Sequence, residues 1–221
     1  MKVAWAITIS LLMLGGGMSG CAMGGASWKE EVLLHDGKKL IVERSQSYGG
    51  RHEIGQKPPI KEEQITFSLP GSSRSISWTS EYSEDVGRAN FEPLALHISN
   101  STPYIVATPN LCLAYNKWGR PNPPYVIFKY ADKAWRRIPL SEFPAEFKAI
   151  NLVINTTKHD SEVARQSLVR ADVVKKLNSS LTQPEYQTIM REPLKPGAMG
   201  GCPELVRIEG GWGIRAESGC C

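Results

Sequence analysis

The densest recognition chemistry in this 221-residue chain lies in Tyr115 to Tyr125, YNKWGRPNPPY. The segment combines Tyr115, Trp118 and Tyr125 with Lys117, Arg120 and three prolines, Pro121, Pro123 and Pro124. Proline fixes φ, so a loop built this way loses less conformational entropy on binding. Tyr, Trp and Arg are also the side chains that dominate binding energy at interfaces. The indole of Trp118 suits stacking on a sugar ring, and Arg120 suits lying across an aromatic face. Tyr115, Trp118, Arg120 and Tyr125 are therefore candidate binding residues for a protein partner, or alternatively for a glycan such as peptidoglycan. The competing expectation is a Pro-stiffened connection whose Trp118 caps the core.

Catalytic signatures are sparse by comparison. The chain has no GxSxG elbow, no GxxxxGK[ST] loop, no HExxH and no SxxK. His35, His52, His97 and His159 are far apart in sequence and would have to meet in space to form a triad. Glu81, Glu84 and Asp85 offer acid oxygens, but not the alternating ligand spacing of a calcium loop. A solvated acidic turn is the expected reading there. A hydrolase working through paired carboxylates is the least favoured function, and no catalytic residue, metal or cofactor is expected. A second Gly-rich loop, SYGGRHEIGQKPPI, carries Tyr48, Arg51 and His52.

Cys112, Cys202, Cys220 and Cys221 could pair in three ways. A Cys112–Cys202 disulfide would pin the tail to the body, and a buried free thiol at Cys112 is the alternative. Adjacent Cys220 and Cys221 would bond to each other only with strain.

The elements that must position these groups are mainly strands from residue 28 to residue 156. VLLH and KLIVER form a hairpin through Asp36-Gly37. QITFSL and SISWTSEY pair around Pro70-Gly71-Ser72-Ser73, with Ile65, Phe67, Leu69, Ile76 and Trp78 on one face. YVIFKY and AWRRI turn at Ala131-Asp132-Lys133. LALHIS, YIVAT, LCLAY and NLVIN are further predicted strands. Residues 157–221 change character: a polar loop over 157–168, a helix over Ala171–Leu181 with Asp172 near its cap, and a short helix after Pro184 with Tyr186 and Ile189 inward. A Gly/Pro-rich end follows, with a last apolar stretch at Leu205–Ile208. The predicted fold is an antiparallel β-sandwich or partly open barrel, with one or two short C-terminal helices packed on it.

The first residues read as an export signal. Lys2 precedes the uncharged apolar run Val3–Leu14, which is too short to span a bilayer and ends in glycines. Met18-Ser19-Gly20-Cys21 resembles the lipobox of bacterial lipoproteins, with Met18 where Leu is usual. The resemblance implies that residues 1–20 are removed, Cys21 is lipidated, and residues 21–27 form a tether. The alternative is an ordinary signal cut after Ala26, which would discard Cys21. Ala22 rather than Asp follows the cysteine, and by resemblance to enterobacterial sorting this implies the outer membrane, facing the periplasm. The body resembles small lipoproteins of Gram-negative genomes, a resemblance that implies no activity.

Net charge is only +4 at pH 7, with the basic residues scattered, so nucleic acid is not an expected partner. The expected function is a membrane-anchored, non-enzymatic interaction module. Cys21→Ala should move the protein from the membrane fraction to the soluble one and abolish metabolic lipid labelling. Retention of both membrane partition and label would refute the anchor.

Overall fold

The structure, a computed structural model, describes residues 25–154, 156–195 and 201–214. Cys21, Cys220 and Cys221 lie outside the described residues.

A first sheet is a four-stranded antiparallel meander: β1 (Gly25–Leu33), β2 (Lys39–Tyr48), β3 (Ile60–Ser68) and β4 (Ser75–Ser80). Its turns follow local chemistry. Gly37 takes φ +81° at the β1–β2 turn, where Leu34 N–H donates to Lys38 C=O at 2.8 Å. Along β1, residues alternate between solvent and interior: Trp28, Glu30 and Val32 point in, while Lys29 and Leu33 point out. A sheet packed on one face requires that period of two.

A short ribbon, β5 (Tyr82–Ser83) and β6 (Arg88–Ala89), leads to the second sheet. There β7 (Phe91–Ser99), β8 (Thr102–Pro109), β9 (Val126–Ala131) and β10 (Ala134–Ile138) stand in the order β10-β9-β8-β7. The β9–β10 turn places Asp132 and Lys133 at φ 52° and 65°, the left-handed pair that a two-residue hairpin requires. The two sheets pack face to face through Val32, Val42, Ile65 and Trp78 on one side and Phe91, Leu96, Ile105 and Val126 on the other. The fold is mainly β and sandwich-like, with no closed barrel among the described residues.

The second sheet is buried on both faces. Tyr104, Val106 and Ile127 form a further cluster on its back with Phe143, Phe147, Ile154 and Ile189. That explains why LALHIS and YIVAT read as continuous apolar runs.

Several sequence-based expectations are corrected. LCLAY is not a strand but the helix α1 (Leu111–Lys117). The chain leaves the sheet at Asn110, whose N–H and side-chain amide donate to Asn90 and Ala89 carbonyls at 2.9 and 3.0 Å. NLVIN is not a strand either. Asn151, Leu152, Val153 and Ile154 are all buried, and the three apolar residues enter three different clusters. Two strand faces cannot serve three destinations, and the backbone bonds are completed by side chains instead. Val153 N–H donates to Glu30 Oε1 at 2.7 Å, and Ile154 N–H to Asn178 Oδ1 at 3.0 Å.

The polar stretch beginning at 157 contains α2 (Thr156–Val163), whose Val163 is buried in a cluster with Val153 and Val169. In α3 (Ala171–Asn178) the cap position is Arg170, and Asp172 lies in the first turn, 2.9 Å from the Arg170 guanidinium. A carboxylate there still favours the helix start electrostatically. The short α4 (Pro184–Gln187) follows, with Ile189 buried beyond it and Tyr186 half-buried.

One buried histidine makes the fold sensitive to acid. His97 stacks on Phe147 at 4.6 Å, and its Nε2 meets Ala149 C=O at 2.9 Å. Burial lowers it from 6.5 to about 4. A folded-state value below the unfolded one means stability present above pH 6.5 and lost as pH falls toward 4. The loss is about 3 kcal/mol. Urea unfolding of wild type and His97→Gln across this range should show the shallower pH slope in the variant.

Candidate functional site

The Tyr115–Tyr125 segment begins in α1 and runs back into β9. Tyr115 and Tyr125 are each only 6% exposed, so the expectation that they present a binding surface is corrected. Trp118 is half-buried, its ring centroid 4.6 Å from that of Phe91, and its indole N–H donates to Asn90 Oδ1 at 3.2 Å. It does pack against the sandwich core.

The segment's polar groups hold the chain that follows the sheets. Arg120 donates to the Pro203 and Cys202 carbonyls at 2.9 and 3.1 Å, and its guanidinium lies 5.0 Å from the centre of the Tyr115 ring. Asn116 donates to Pro203 C=O at 3.0 Å and accepts Leu205 N–H at 2.8 Å. Cys112 and Cys202 form a disulfide, closing a sequence separation of 90. Farther on, Asn122 makes two bonds to the backbone of Leu194, at 2.7 and 2.9 Å. The Tyr125 hydroxyl reaches the Glu185 and Thr188 carbonyls at 2.9 and 3.1 Å, and burial pushes it up to about 12. The residues that read as binding hot spots thus brace the fold from within.

What they brace includes a hairpin, β11 (Leu205–Ile208) and β12 (Gly211–Ile214). Two strands this short do not persist alone in water. Its Trp212 indole N–H donates to Asp85 C=O at 3.2 Å, and Arg207 lies 5.4 Å over the indole ring. Sequence reasoning missed both residues; the signal available was Gly210-Gly211-Trp212-Gly213, an indole flanked by residues without side chains.

The acidic turn sits under this hairpin. Asp85 accepts from Lys117 Nζ at 2.8 Å, with Arg207 3.9 Å away. Burial alone would raise its carboxyl, but hydrogen bonds from Lys117 and Ser83 outweigh that and hold it below the usual value. Glu84 accepts the Tyr82 hydroxyl at 3.1 Å. Among the described residues no group of three His, Cys, Asp or Glu could hold a metal ion. The Gly-rich loop closes over the same turn: Arg51 N–H donates to Gly87 C=O at 3.0 Å, and its guanidinium to Glu84 C=O at 3.0 Å. Gly50 has to be glycine, because an added Cβ would lie 2.4 Å from Gly87 O. His52 Nδ1 lies 2.8 Å from Gly50 C=O, and Tyr48 sits where the loop leaves β2.

Farther along the same segment, half-buried Pro121 and buried Pro123 border β10. Pro121, Pro123, Ile127, Arg137, Ile138 and Leu140 line a groove of about 430 Å³. The β9–β10 register pairs Ala134 with Ala131, Arg136 with Lys129 and Ile138 with Ile127. With a two-residue turn these become the bonded pairs, so the N–H and C=O of Trp135 and Arg137 face outward. Among the described residues no backbone group meets that edge. The Trp135 indole instead donates to Ser77 C=O of β4 at 2.6 Å.

A comparison with known protein families, curated proteins and solved structures finds no match.

The clamp makes separable predictions. Replacing Cys112 and Cys202 together by Ser should cost about 4 kcal/mol of global stability, since a loop of this length is released in the unfolded chain. Arg120→Ala should leave global unfolding nearly unchanged while speeding amide exchange at Leu205–Ile208. Equal protection of those amides in Arg120→Ala and wild type would show that the guanidinium holds nothing.

Proposed function

We propose that this chain is a lipid-anchored, non-enzymatic interaction module of the cell envelope that binds a protein partner along the free edge of β10. The anchoring part rests on Met18–Cys21 and the apolar run before them. The binding part rests on one observation: a strand edge that no backbone group meets among the described residues, beside the Pro-lined groove.

An edge strand with open N–H and C=O groups is a template for another strand. Soluble proteins commonly block such an edge with a bulge, a cover or an inward charge. Here the edge adjoins a groove whose apolar walls, Pro121, Pro123, Ile138 and Leu140, suit alternate side chains of an extended peptide. Lys129, Lys133, Arg136 and Arg137 surround it, and Asp132 neutralises Arg136 at 3.1 Å. That balance favours an acidic segment on the partner. Trp118 contributes from beneath, with the Arg137 guanidinium 5.9 Å from its ring centre. The loop named by its composition therefore lines the proposed groove with Pro121, Pro123 and the largely buried Tyr125, while Trp118 supports Arg137 and Tyr115 does not line it.

The test offers solubilised envelope proteins and purified sacculi separately to the full chain as bait. Arg137→Pro removes one outward N–H that the β9–β10 ladder does not use, and Arg137→Glu reverses the local charge. Both should lower affinity for a retained protein at least about tenfold with unfolding unchanged. A partner held equally well by both variants, or retention on sacculi alone, would overturn the reading.

A further inference from the structure

The strand ladders trace which end of the sandwich the N-terminal chain enters. Gly25 pairs with Ser47, Ser47 with Glu62, and Glu63 with Ser80. The Ser80 hydroxyl bonds the backbone of Phe91, and Phe91 pairs with Pro109, two residues before Leu111. One end of both sheets therefore gathers the start of β1, the Gly-rich loop after β2, the β5–β6 ribbon and the start of α1. Because β2 is antiparallel to β1, the loop after Tyr48 projects toward the side from which the chain enters β1. Only Ala22, Met23 and Gly24 separate Cys21 from Gly25. Four residue steps span at most about 14 Å even when fully extended. A lipid on Cys21 thus holds this end at the bilayer surface, a step that rests on the anchoring part of the reading above.

Three separate elements at this end carry large apolar side chains that the core does not use. Ile54, Leu111 and Ile208 are 107%, 64% and 54% exposed. Ile54 sits in a tight turn, Glu53–Gln56. Gln56 N–H donates to Glu53 C=O at 3.0 Å, the two side chains bond at 3.1 Å, and Gly55 takes φ +86°. The turn presents isoleucine at a corner position, where polar residues, glycine and proline are usual. Leu111 has φ 58°, a left-handed conformation that favours glycine, and its exposure shows no packing gained in return. With Arg51, Lys57, Pro58 and Ile60 it lines a hollow of about 460 Å³ between α1 and the loop. Ile208 stands at the β11–β12 turn, where Arg207 and Gly210 share a cleft with Arg51 of the same loop. Its side chain lies over Gly213, on the hairpin face turned away from Trp212. One exposed apolar residue needs no explanation, but three at the end that an anchor holds to a bilayer do.

We infer that this end docks on a phospholipid surface, with Ile54, Leu111 and Ile208 dipping into the headgroup layer. Side chains scattered over a loop, a helix start and a hairpin offer no shape-matched pocket to a folded partner. A bilayer to which the chain is already tied accepts all three, because apolar side chains bury in its interfacial layer without a fixed geometry. Charge does not drive the contact. Arg51, Lys57 and Arg88 stand at this end beside Glu53, Glu62 and Glu92, equal in number. The docking is therefore apolar and insensitive to salt. It also leaves the β10 edge free, because β9 starts beside Ala107 and runs to the other end of the sheet, carrying the Asp132-Lys133 turn away from the membrane.

The experiment places the full chain, isolated with its lipid, on phosphatidylcholine vesicles. Photoreactive benzoylphenylalanine replaces Ile54, Leu111 or Ile208 in turn. It also replaces Ile41, equally apolar and exposed but near the opposite end of the first sheet. Phospholipid capture at the first three positions should exceed that at Ile41 at least about tenfold. It should persist in about 1 M salt, where the screening length falls to about 3 Å. Leu111→Gly removes the side chain and relieves the left-handed backbone, so thermal unfolding should be unchanged or raised. Combined with Ile54→Asp, it should lower capture at position 208 at least about tenfold. If a lipid-labelled, membrane-bound chain captures no more at the three positions than at Ile41, the contact is overturned and the anchor stands. Capture at position 208 that survives the double substitution overturns the contact equally. A chain that carries no lipid label and stays soluble overturns the anchor, and the contact with it.

Discussion

The guanidinium of Arg44, fully buried inside the first sheet, is the group around which the rest of the structure is arranged. It donates to Glu30 Oε2 and to the Val153 carbonyl at 3.1 and 2.8 Å, it bonds Glu63, and it lies 4.9 Å from the centre of the Trp28 ring. Glu30 in turn accepts the Trp28 indole N–H and the Val153 amide. Burial alone would lower the arginine; the two carboxylates overcome it and hold Arg44 above its ordinary value. Burial pushes the Glu63 carboxyl up, against the pull of Arg44. Charges taken out of water in this way persist only with their partners in place, and removing one partner of such a pair costs about 3–5 kcal/mol. Three strands and the 151–154 segment must therefore be correct together.

That requirement explains the path of the chain after β10. Val153 meets the ionic group, Leu152 enters the space between the sheets, and Ile154 covers the back of the second sheet. Asn151 completes the join. Its side chain takes Leu96 N–H and gives its own amide hydrogens to the Leu96 and Leu33 carbonyls, at 2.8 to 3.0 Å. An asparagine thus does the work of a strand on the β7 edge and ties it to β1. The β1 edge is covered as well, by two backbone bonds to Val169 at 2.8 and 2.9 Å. Unlike these two edges, that of β10 is met by no backbone group among the described residues.

The C-terminal chain is held by a different device. Arg120, Asn122 and Tyr125 each anchor a separate stretch of it, and the disulfide at Cys112 secures the same region covalently. A loop rich in proline and aromatics is well suited to this work, because a brace must be rigid as much as a binding loop must. Composition alone does not distinguish the two uses. The hairpin it supports carries Arg207 and Trp212 to the acidic turn, where neither residue's own segment would have placed it.

Alternation and turn chemistry act between near neighbours, and what depends on them was legible in the sequence. Asp36-Gly37, Pro70-Gly71 and Asp132-Lys133 placed three hairpins, and the period-two pattern of Ile65, Phe67, Ile76 and Trp78 placed the buried face. The helices around Val174 and after Pro184 followed from local spacing too. The tertiary structure decided the rest, because the deciding partners are remote. Residues 151–154 are irregular since Glu30 and Asn178, 123 and 24 positions from the amides they accept, replace a ladder. LCLAY is helical because the chain leaves its sheet at Asn110. Arg120 and Tyr125 face inward because carbonyls 60 to 83 residues away need donors. A buried polar group must find its partner wherever the fold puts one, and no local pattern encodes that position.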